Sequence, residues 1–337
     1  MRGVIYMTAL IPTIGHQRLI DFAFRFLAAQ PGSPHLKVIV SSRSHEPQVT
    51  KDRVAILRDH YQSAYQLTFV DHQDDNAPQN PSTDDEWRYW TDMAGEVDFV
   101  IGSELYGLEL GKRLNAQFIP CDINREVLPV VGSDVRQHIW VYQDEILPAW
   151  VKAHQINVVL FGQESVGKTT LARELAEKFR VPYHHEWARQ YLETVGPELT
   201  QGKMSNITHG QAALESMPFN TLVRVLDTDL LSTLGYYQIN GMTPGATLLE
   251  NTRNYSRRSD RRLYLIPSDQ DVPFEPDALR YGGNTRESSL SFWVQMLESR
   301  GLTYRILEGS LEERIAKAQQ YVEEFMGLDK LRDFIRD

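Results

Sequence analysis

Two α/β domains in tandem, each a parallel sheet covered by helices, are what this sequence of 337 residues predicts. Three observations carry that expectation. Short apolar, strand-like runs alternate with longer helix-like runs along the chain, which is the pattern of strand–helix–strand crossovers. Gly162 to Thr169 reads G-Q-E-S-V-G-K-T, a complete phosphate-binding loop set between a strand-like run and a helix-like one. The chain is also too long for one typical domain, and Pro148 punctuates it near the middle. A doubly wound domain over residues 1–148 and a phosphate-loop domain over 151–337 follow, with a short boundary near 147–153.

The elements come in order. Gly3–Thr8 reads as the first strand, followed by a loop and a helix from about His16, with Leu19, Phe22, Ala23, Phe26 and Leu27 on one apolar face. Leu36–Ser41, Leu67–Val70, Val97–Ile101 and Gln117–Pro120 are further strands, and a helix is expected over Ser133–Gln143 before Pro148 breaks the chain. In the second half, Ile156–Phe161 is a buried strand leading into the phosphate loop. Thr170–Phe179 is a helix with Leu171, Leu175 and Phe179 on one face. Strands near Val181–Tyr183, Leu222–Leu226, Leu263–Ile266 and Thr303–Leu307 follow, and Leu311–Phe325 closes as a helix. The polar, Arg-rich stretch Thr243–Arg262 suits either a mobile segment or a solvated surface.

Composition narrows the function. Hydrophobic residues make up 42% and charged residues 24%, ordinary for a protein that buries real cores. A net charge of −10 argues against general affinity for nucleic acid. The one cysteine, Cys121, allows no internal disulfide and no cysteine-based zinc site, which fits a reducing compartment. The N-terminus reads as a strand rather than a signal peptide, and no apolar run is long enough to span a membrane. A cytoplasmic protein without a membrane or nucleic-acid partner is expected; a homo-oligomer stays open.

Candidate chemistry sits at strand ends. In the phosphate loop, Gly162, Ser165 and Gly167 let backbone N–H groups curl around a polyphosphate at a helix N-terminus, with Thr170 in the first turn. Lys168 supplies a point charge for the β- and γ-phosphates of ATP, and the Thr169 hydroxyl suits Mg²⁺. Leu222–Asp229 is a strand ending in two acids, and Asp227 would hold the magnesium through water. Glu186, after the strand near Val181–Tyr183, could accept a substrate hydroxyl proton. In the first domain, Thr13-Ile14-Gly15-His16 follows the first strand and opens the first helix, where a doubly wound sheet presents donors to phosphate.

These residues carry a resemblance to known families. Met1–His16 resembles the opening of the nicotinamide-nucleotide adenylyltransferases, members of the HxGH nucleotidyltransferases. Ser103–Gly107 is similar to their S-E-x-Y-G segment, Asp122–Arg125 to D-x-x-R, and Val131–Arg136 to I-S-x-T-x-I-R. Trp87–Asp92 resembles a Trp-containing stretch that contacts nicotinamide in some members. The sequence departs from the pattern where Met7 replaces the glycine and Ala9 the aromatic of G-x-F-x-P, and where Thr13 replaces the first histidine. The resemblance implies a Rossmann-like domain over residues 1–140 in which His16, Thr13 and Arg136, with backbone N–H groups at Gly15 and Ser133, receive the phosphates. Trp87, Trp90, Glu104 and Tyr106 would receive the nicotinamide nucleotide.

Residues 150–325 resemble the ribosylnicotinamide kinase domain of the bifunctional NadR proteins. The loop matches G-x-E-S-x-G-K-S, His185–Tyr191 matches W-E-Y-G-R-E-F, Asp227–Asp229 matches D-T-D, and Pro276–Arg280 matches D-D-G-L-R. What this implies is a P-loop kinase in which Glu186 or Asp229 handles the ribose hydroxyl. Arg189 and Asp277 would bind the nucleoside and Arg280 would close over phosphates. Together the two resemblances imply NAD salvage, with nicotinamide riboside, nicotinamide mononucleotide (NMN), ATP and NAD as small-molecule partners and Mg²⁺ as cofactor. Because the chain opens on its first strand, the helix-turn-helix domain of some members, and with it repression of transcription, is not expected. Two alternatives remain: a kinase whose first domain only senses NAD or NMN, and a regulatory nucleotide-binding module.

Overall fold

The computed structural model describes residues 1–61, 66–78, 81–129, 131–256, 261–268 and 290–336. Residue contacts divide the chain into two compact units, Met1–Ala153 with Lys330–Asp337, and His154–Asp329. The division read from the sequence gives the whole C-terminal end to the second domain, whereas contacts give Lys330–Asp337 to the first.

The first half runs β1 (Arg2–Met7), α1 (Ile14–Ala28), β2 (His35–Ser42), α2 (Arg53–His60), β3 (Leu67–Gln73), α3 (Asp84–Ala94), β4 (Phe99–Gly102), α4 (Tyr106–Leu114), β5 (Gln117–Pro120), α5 (Gly132–Gln137) and α6 (Pro148–His154). Its five strands form one parallel sheet in the order β3-β2-β1-β4-β5. The chain therefore reverses its winding between β1 and β4, and loops leaving those two strands diverge to open a crevice at their carboxyl ends. Helix α1 forms because Thr13 caps it and Leu19, Ile20, Ala23 and Leu27 bury one face on the sheet. Approach to β1 is tight: a Cβ at Gly3 would sit 2.8 Å from Leu27. Phe22, expected on that face, is instead exposed, and Ile20 takes its place.

Two expected boundaries move. The helix predicted over Ser133–Gln143 ends at Gln137, and only a short turn at Gln143–Glu145 follows. Pro148 opens α6 rather than breaking the chain, since its missing N–H costs nothing in a first turn.

The second half runs β6 (Ile156–Leu160), α7 (Lys168–Phe179), β7 (Tyr183–His184), α8 (Trp187–Val195), α9 (Gln201–Ser216), β8 (Val223–Asp227), α10 (Leu230–Ile239), α11 (Ala246–Arg253), β9 (Arg262–Pro267), α12 (Leu290–Glu298), β10 (Tyr304–Leu307), α13 (Leu311–Met326) and α14 (Leu328–Arg336). Again five strands pair in parallel, in the order β10-β9-β6-β8-β7, with β6 central. Its core gathers Val159, Phe161, Leu226, Tyr264, Ile266 and Trp293 between sheet and helices. Helix α10 is buried almost all round, and Gly235 lets it meet α12: a Cβ there would lie 2.5 Å from the Trp293 ring. The stretch Thr243–Arg262 is not simply mobile or solvated where it is described, because α11 lies within it and Leu248, Tyr255 and Arg262 are buried. No helix among the described residues is long and apolar enough to cross a membrane.

Candidate functional site

At the carboxyl edge of the first sheet lies a cleft of about 660 Å³. Thr13, Gly15, His16, Ser133 and Arg136 all line it. Thr13 and His16 close a reciprocal cap on α1. The Thr13 backbone N–H donates to His16 Nδ1 at 3.0 Å, and the Thr13 hydroxyl lies 2.8 Å from the same nitrogen. A backbone N–H can only donate, so Nδ1 is the acceptor and the neutral ring carries its proton on Nε2. Burial, then the positive charges of Arg136 and Arg125, hold the His16 pKa down at about 4. At neutral pH His16 is thus an uncharged donor of fixed tautomer. Thr13 is engaged with that ring and also lines the cleft.

Arg136 stands at the end of α5. Its Nε is buried with no hydrogen-bond partner, and burial lowers its pKa. A Cβ built on Gly132 would come within 3.1 Å of Arg136 Nη1 and 3.7 Å of His16 Cε1. That shared neighbour places the imidazole and the guanidinium side by side, with Ser133 in the first turn of α5 lining the same cleft. A partnerless buried donor next to a neutral N–H donor is a corner built for an anion.

Aromatic side chains form another part of the wall. Trp90 and Tyr106 line the cleft together with Tyr6; the Tyr6 ring lies 4.5 Å from Trp90, which lies 6.1 Å from Tyr106. The Trp90 indole donates to the Pro78 carbonyl at 3.0 Å, and the Tyr6 hydroxyl donates to the Trp90 carbonyl. Trp87 corrects the sequence expectation. It is packed in the core with Val4, Ile39 and Leu110 and is not part of the cleft wall. Glu104 does line the cleft, and it pairs with Arg125 at 3.5 Å.

Sequence reasoning missed Arg53. Its side chain is 1% exposed, yet every donor direction is used. It binds the Thr8, Ser41 and Thr50 carbonyls and both oxygens of Glu46. This knot ties the loop after β1 to the end of β2, both of which border the cleft. A buried guanidinium is tolerated only when so completely paired, and nothing local in the sequence announces the partners.

The phosphate loop follows β6 in the second unit. Gly162, Ser165 and Gly167 have φ values of 118°, 59° and 84°, and the two glycines meet that demand without Cβ strain. Lys168 Nζ donates to the Gly162 and Gln163 carbonyls at 3.1 and 2.6 Å, so the ammonium lies over the loop's own backbone. Thr170 is exposed in the first turn of α7. The Thr169 hydroxyl donates to Asp227 Oδ2 at 2.6 Å, and the Tyr183 hydroxyl, another group the sequence reading passed over, donates to the same oxygen at 3.0 Å. Asp227 is 2% exposed and its other oxygen, Oδ1, has no hydrogen-bond partner. A hydroxyl and a carboxylate with a spare buried oxygen are hard donors that suit magnesium. Among the described residues no cluster of three acids, histidines or cysteines could hold a metal unaided. Such an ion would arrive with nucleotide phosphates completing its shell.

Glu186, just before α8, is close enough to feel Asp227, Lys168 and Arg189. Burial first, then the Asp227 carboxylate, push its pKa up to about 7, against the pull of Lys168 and Arg189. Asp229, the other candidate base, is a correction. It is 0% exposed, and its Oδ1 caps α10 through the Leu231 and Ser232 N–H groups. Oδ2 accepts from Arg262 at 3.1 Å and from the Tyr264 hydroxyl at 2.8 Å, while Arg262 also binds Glu215. With both oxygens engaged inside the core, Asp229 has no face toward a substrate. Burial and the neighbouring Glu215 raise its pKa against the pull of Arg262. Asp229→Asn should cost about 1–2 kcal/mol in urea unfolding; a change within about 0.3 kcal/mol would deny it a structural role.

Arg314 on α13 was also missed. It is 3% exposed, donates to the Gly309 carbonyl at 2.7 Å and reaches the Val166 carbonyl within the loop at 3.4 Å. It thereby props the phosphate loop from behind. Asp277 and Arg280 lie outside the described residues.

Comparison with known proteins finds a family model, curated relatives and solved structures similar to this chain. A family model described as an AAA domain matches residues 157–314. The trifunctional NAD biosynthesis/regulator protein NadR of Escherichia coli (strain K12) is 23% identical over 229 residues, covering 64% of this chain and 54% of that protein. The Salmonella typhimurium (strain LT2) protein of the same name is 22% identical over the same shares. The chain thus spans about half the length of the curated relatives it matches. Among solved structures, a NadR protein in complex with NR is 21% identical at a TM-score of 0.47, covering 97% of this chain and 96% of that one.

Proposed function

We propose that this NadR-type chain is an enzyme of NAD metabolism that joins two steps. The second unit would phosphorylate nicotinamide riboside with ATP, and the first would adenylylate the resulting mononucleotide with a second ATP, giving NAD and pyrophosphate. The observation that carries the reading is the pairing of two different phosphate-receiving corners in one chain. One is a loop with Lys168, Thr169 and Asp227, and the other is the His16–Arg136 corner beside an aromatic wall.

Each transfer needs little covalent help from the protein, because the attacking oxygen belongs to the substrate. In the second unit Lys168 and the loop N–H groups bind the polyphosphate and offset charge on the moving phosphoryl group. Thr169 and Asp227 would hold magnesium, which supplies neutralising charge at the phosphate oxygens when bound. Glu186 takes the proton from the attacking ribose hydroxyl, a role its raised pKa and its place beside Lys168 support. In the first unit the neutral His16 Nε2–H and the Arg136 guanidinium receive the ATP phosphates as pyrophosphate separates. The mononucleotide phosphate attacks the α-phosphorus while Trp90 presents its face to the cationic pyridine ring.

A product assay on pure protein with ATP, magnesium and either the riboside or the mononucleotide tests the reading. Both NMN and NAD are expected. A second reading, in which the first unit binds NMN or NAD without turnover, is favoured by Met7 at the end of β1 and Ala9 in the loop after it; NMN formation without NAD would select it. The pH profile tests Glu186 separately. Burial raises its pKa above that of an ordinary carboxylate, so its basic form, and with it kcat/KM for riboside phosphorylation, should grow as pH rises out of the acid range. Glu186→Gln should flatten the climb and lower the plateau; an unchanged profile would remove Glu186 from the chemistry.

A further inference from the structure

The cleft of the first unit carries aromatic side chains beyond the Trp90 that the reaction scheme uses. Four of the side chains lining it carry aromatic carbocycles or indoles: Tyr6, Trp90, Tyr106 and Phe334. Trp90 packs against both Tyr6 and Tyr106, its ring tilted by 42° to the first and 61° to the second. Phe334 stands apart. It belongs to Lys330–Asp337, the C-terminal residues that contacts assign to the first unit, and its ring neighbour is His45, in the loop after β2, at 5.5 Å and a tilt of 56°. His45 Nδ1 faces the Asp75 carboxylate at 3.8 Å. Arg43, on the same loop and also in the lining, binds the carbonyls of Asp74, Asp75 and Ala77. The frame around Phe334 is therefore tied down by polar bonds, and Leu331, one turn earlier on α14, is buried.

A site that builds a dinucleotide must hold two flat heterocycles at once, and an aromatic face is the cheapest way to fix each of them. Trp90 offers one. We infer that Phe334 supplies the second, contacting the base of whichever nucleotide does not lie on Trp90. This rests on the adenylyltransferase reading for its two-base requirement. The shared chemistry is a planar nitrogen heterocycle, either adenine or pyridine, and the substrates tell the two apart.

NAD is the probe, because it carries both rings and its binding does not depend on turnover. In calorimetric titrations of the full chain, Phe334→Ala should weaken NAD binding about tenfold, and Phe334→Tyr should regain most of that loss. Riboside phosphorylation, measured on the same preparations, should stay at the wild-type rate and so certify the fold. In NAD formation from supplied mononucleotide, the KM that rises in Phe334→Ala, for ATP or for the mononucleotide, names the base that Phe334 meets. An NAD affinity within about twofold of wild type, or a loss that tyrosine does not repair, would overturn the inference. A wild-type chain that binds NAD yet forms none would fail the adenylyltransferase reading while leaving Phe334 testable. One that does not bind NAD at all would overturn both.

Discussion

Lys168→Ala is expected to cut riboside phosphorylation by about 3–4 kcal/mol of activation free energy, a few hundredfold or more in turnover. The reason lies in where the ammonium sits. It is held by the Gly162 and Gln163 carbonyls over the loop, so it is already ordered where a polyphosphate would lie. Its charge matters most when the γ-phosphoryl group is in flight, since negative charge then shifts toward the oxygens it faces. Alanine removes the charge and leaves the helix start intact, because Gly167 and the α7 backbone do not depend on that side chain. NAD formation from supplied mononucleotide should continue at the wild-type rate. Turnover of both substrates is the measurement. Equal loss of the two activities in a protein that still unfolds cooperatively would mean that they share one site, and the two-site scheme would be wrong.

What the sequence made legible was whatever is local. The phosphate loop is contiguous, its glycines answer a backbone demand, and β6 and α7 flank it as the periodicity expects. Asp227 was legible because a strand ending in an acid points that acid at the carboxyl edge of a parallel sheet. Neighbours brought from elsewhere in the chain were not legible. Asp227 and Asp229 look alike in sequence, yet one keeps a spare oxygen beside Thr169 while the other is consumed by Arg262 and Tyr264 from β9. Trp87 and Trp90 lie one turn apart on α3, and only the packing of that helix decides which ring enters the core and which enters the cleft. Nothing local in the sequence marks Arg53 or Arg314 as buried; Glu46 and backbone carbonyls, some from distant positions, enclose them. Phe334 lies far from the cleft in sequence, and no periodicity could have joined them.

The first unit's chemistry should depend on His16 in a way that a charged histidine would not. With Nδ1 occupied by the Thr13 N–H and the pKa held near 4, the ring meets phosphate as a neutral Nε2–H donor. Adenylylation should therefore show no ionisation of His16 between about pH 6 and 8, because the group titrates well below that window. His16→Ala should lower NAD formation at least about a hundredfold, the scale of one preorganised donor lost from a charge-stabilising site. It should leave riboside phosphorylation untouched. Thr13→Ala should cost less: it removes the hydroxyl that caps α1 and faces Nδ1 but keeps the backbone N–H that fixes the tautomer. Gly132→Ala probes the same corner sterically, since the added methyl would press on Arg136 at 3.1 Å and crowd the imidazole. NAD formation and mononucleotide binding, measured side by side, decide the matter. Tight mononucleotide binding by the wild-type chain with no pyrophosphate released would mean that the corner holds phosphate without passing it on, and the first unit would then be a sensor.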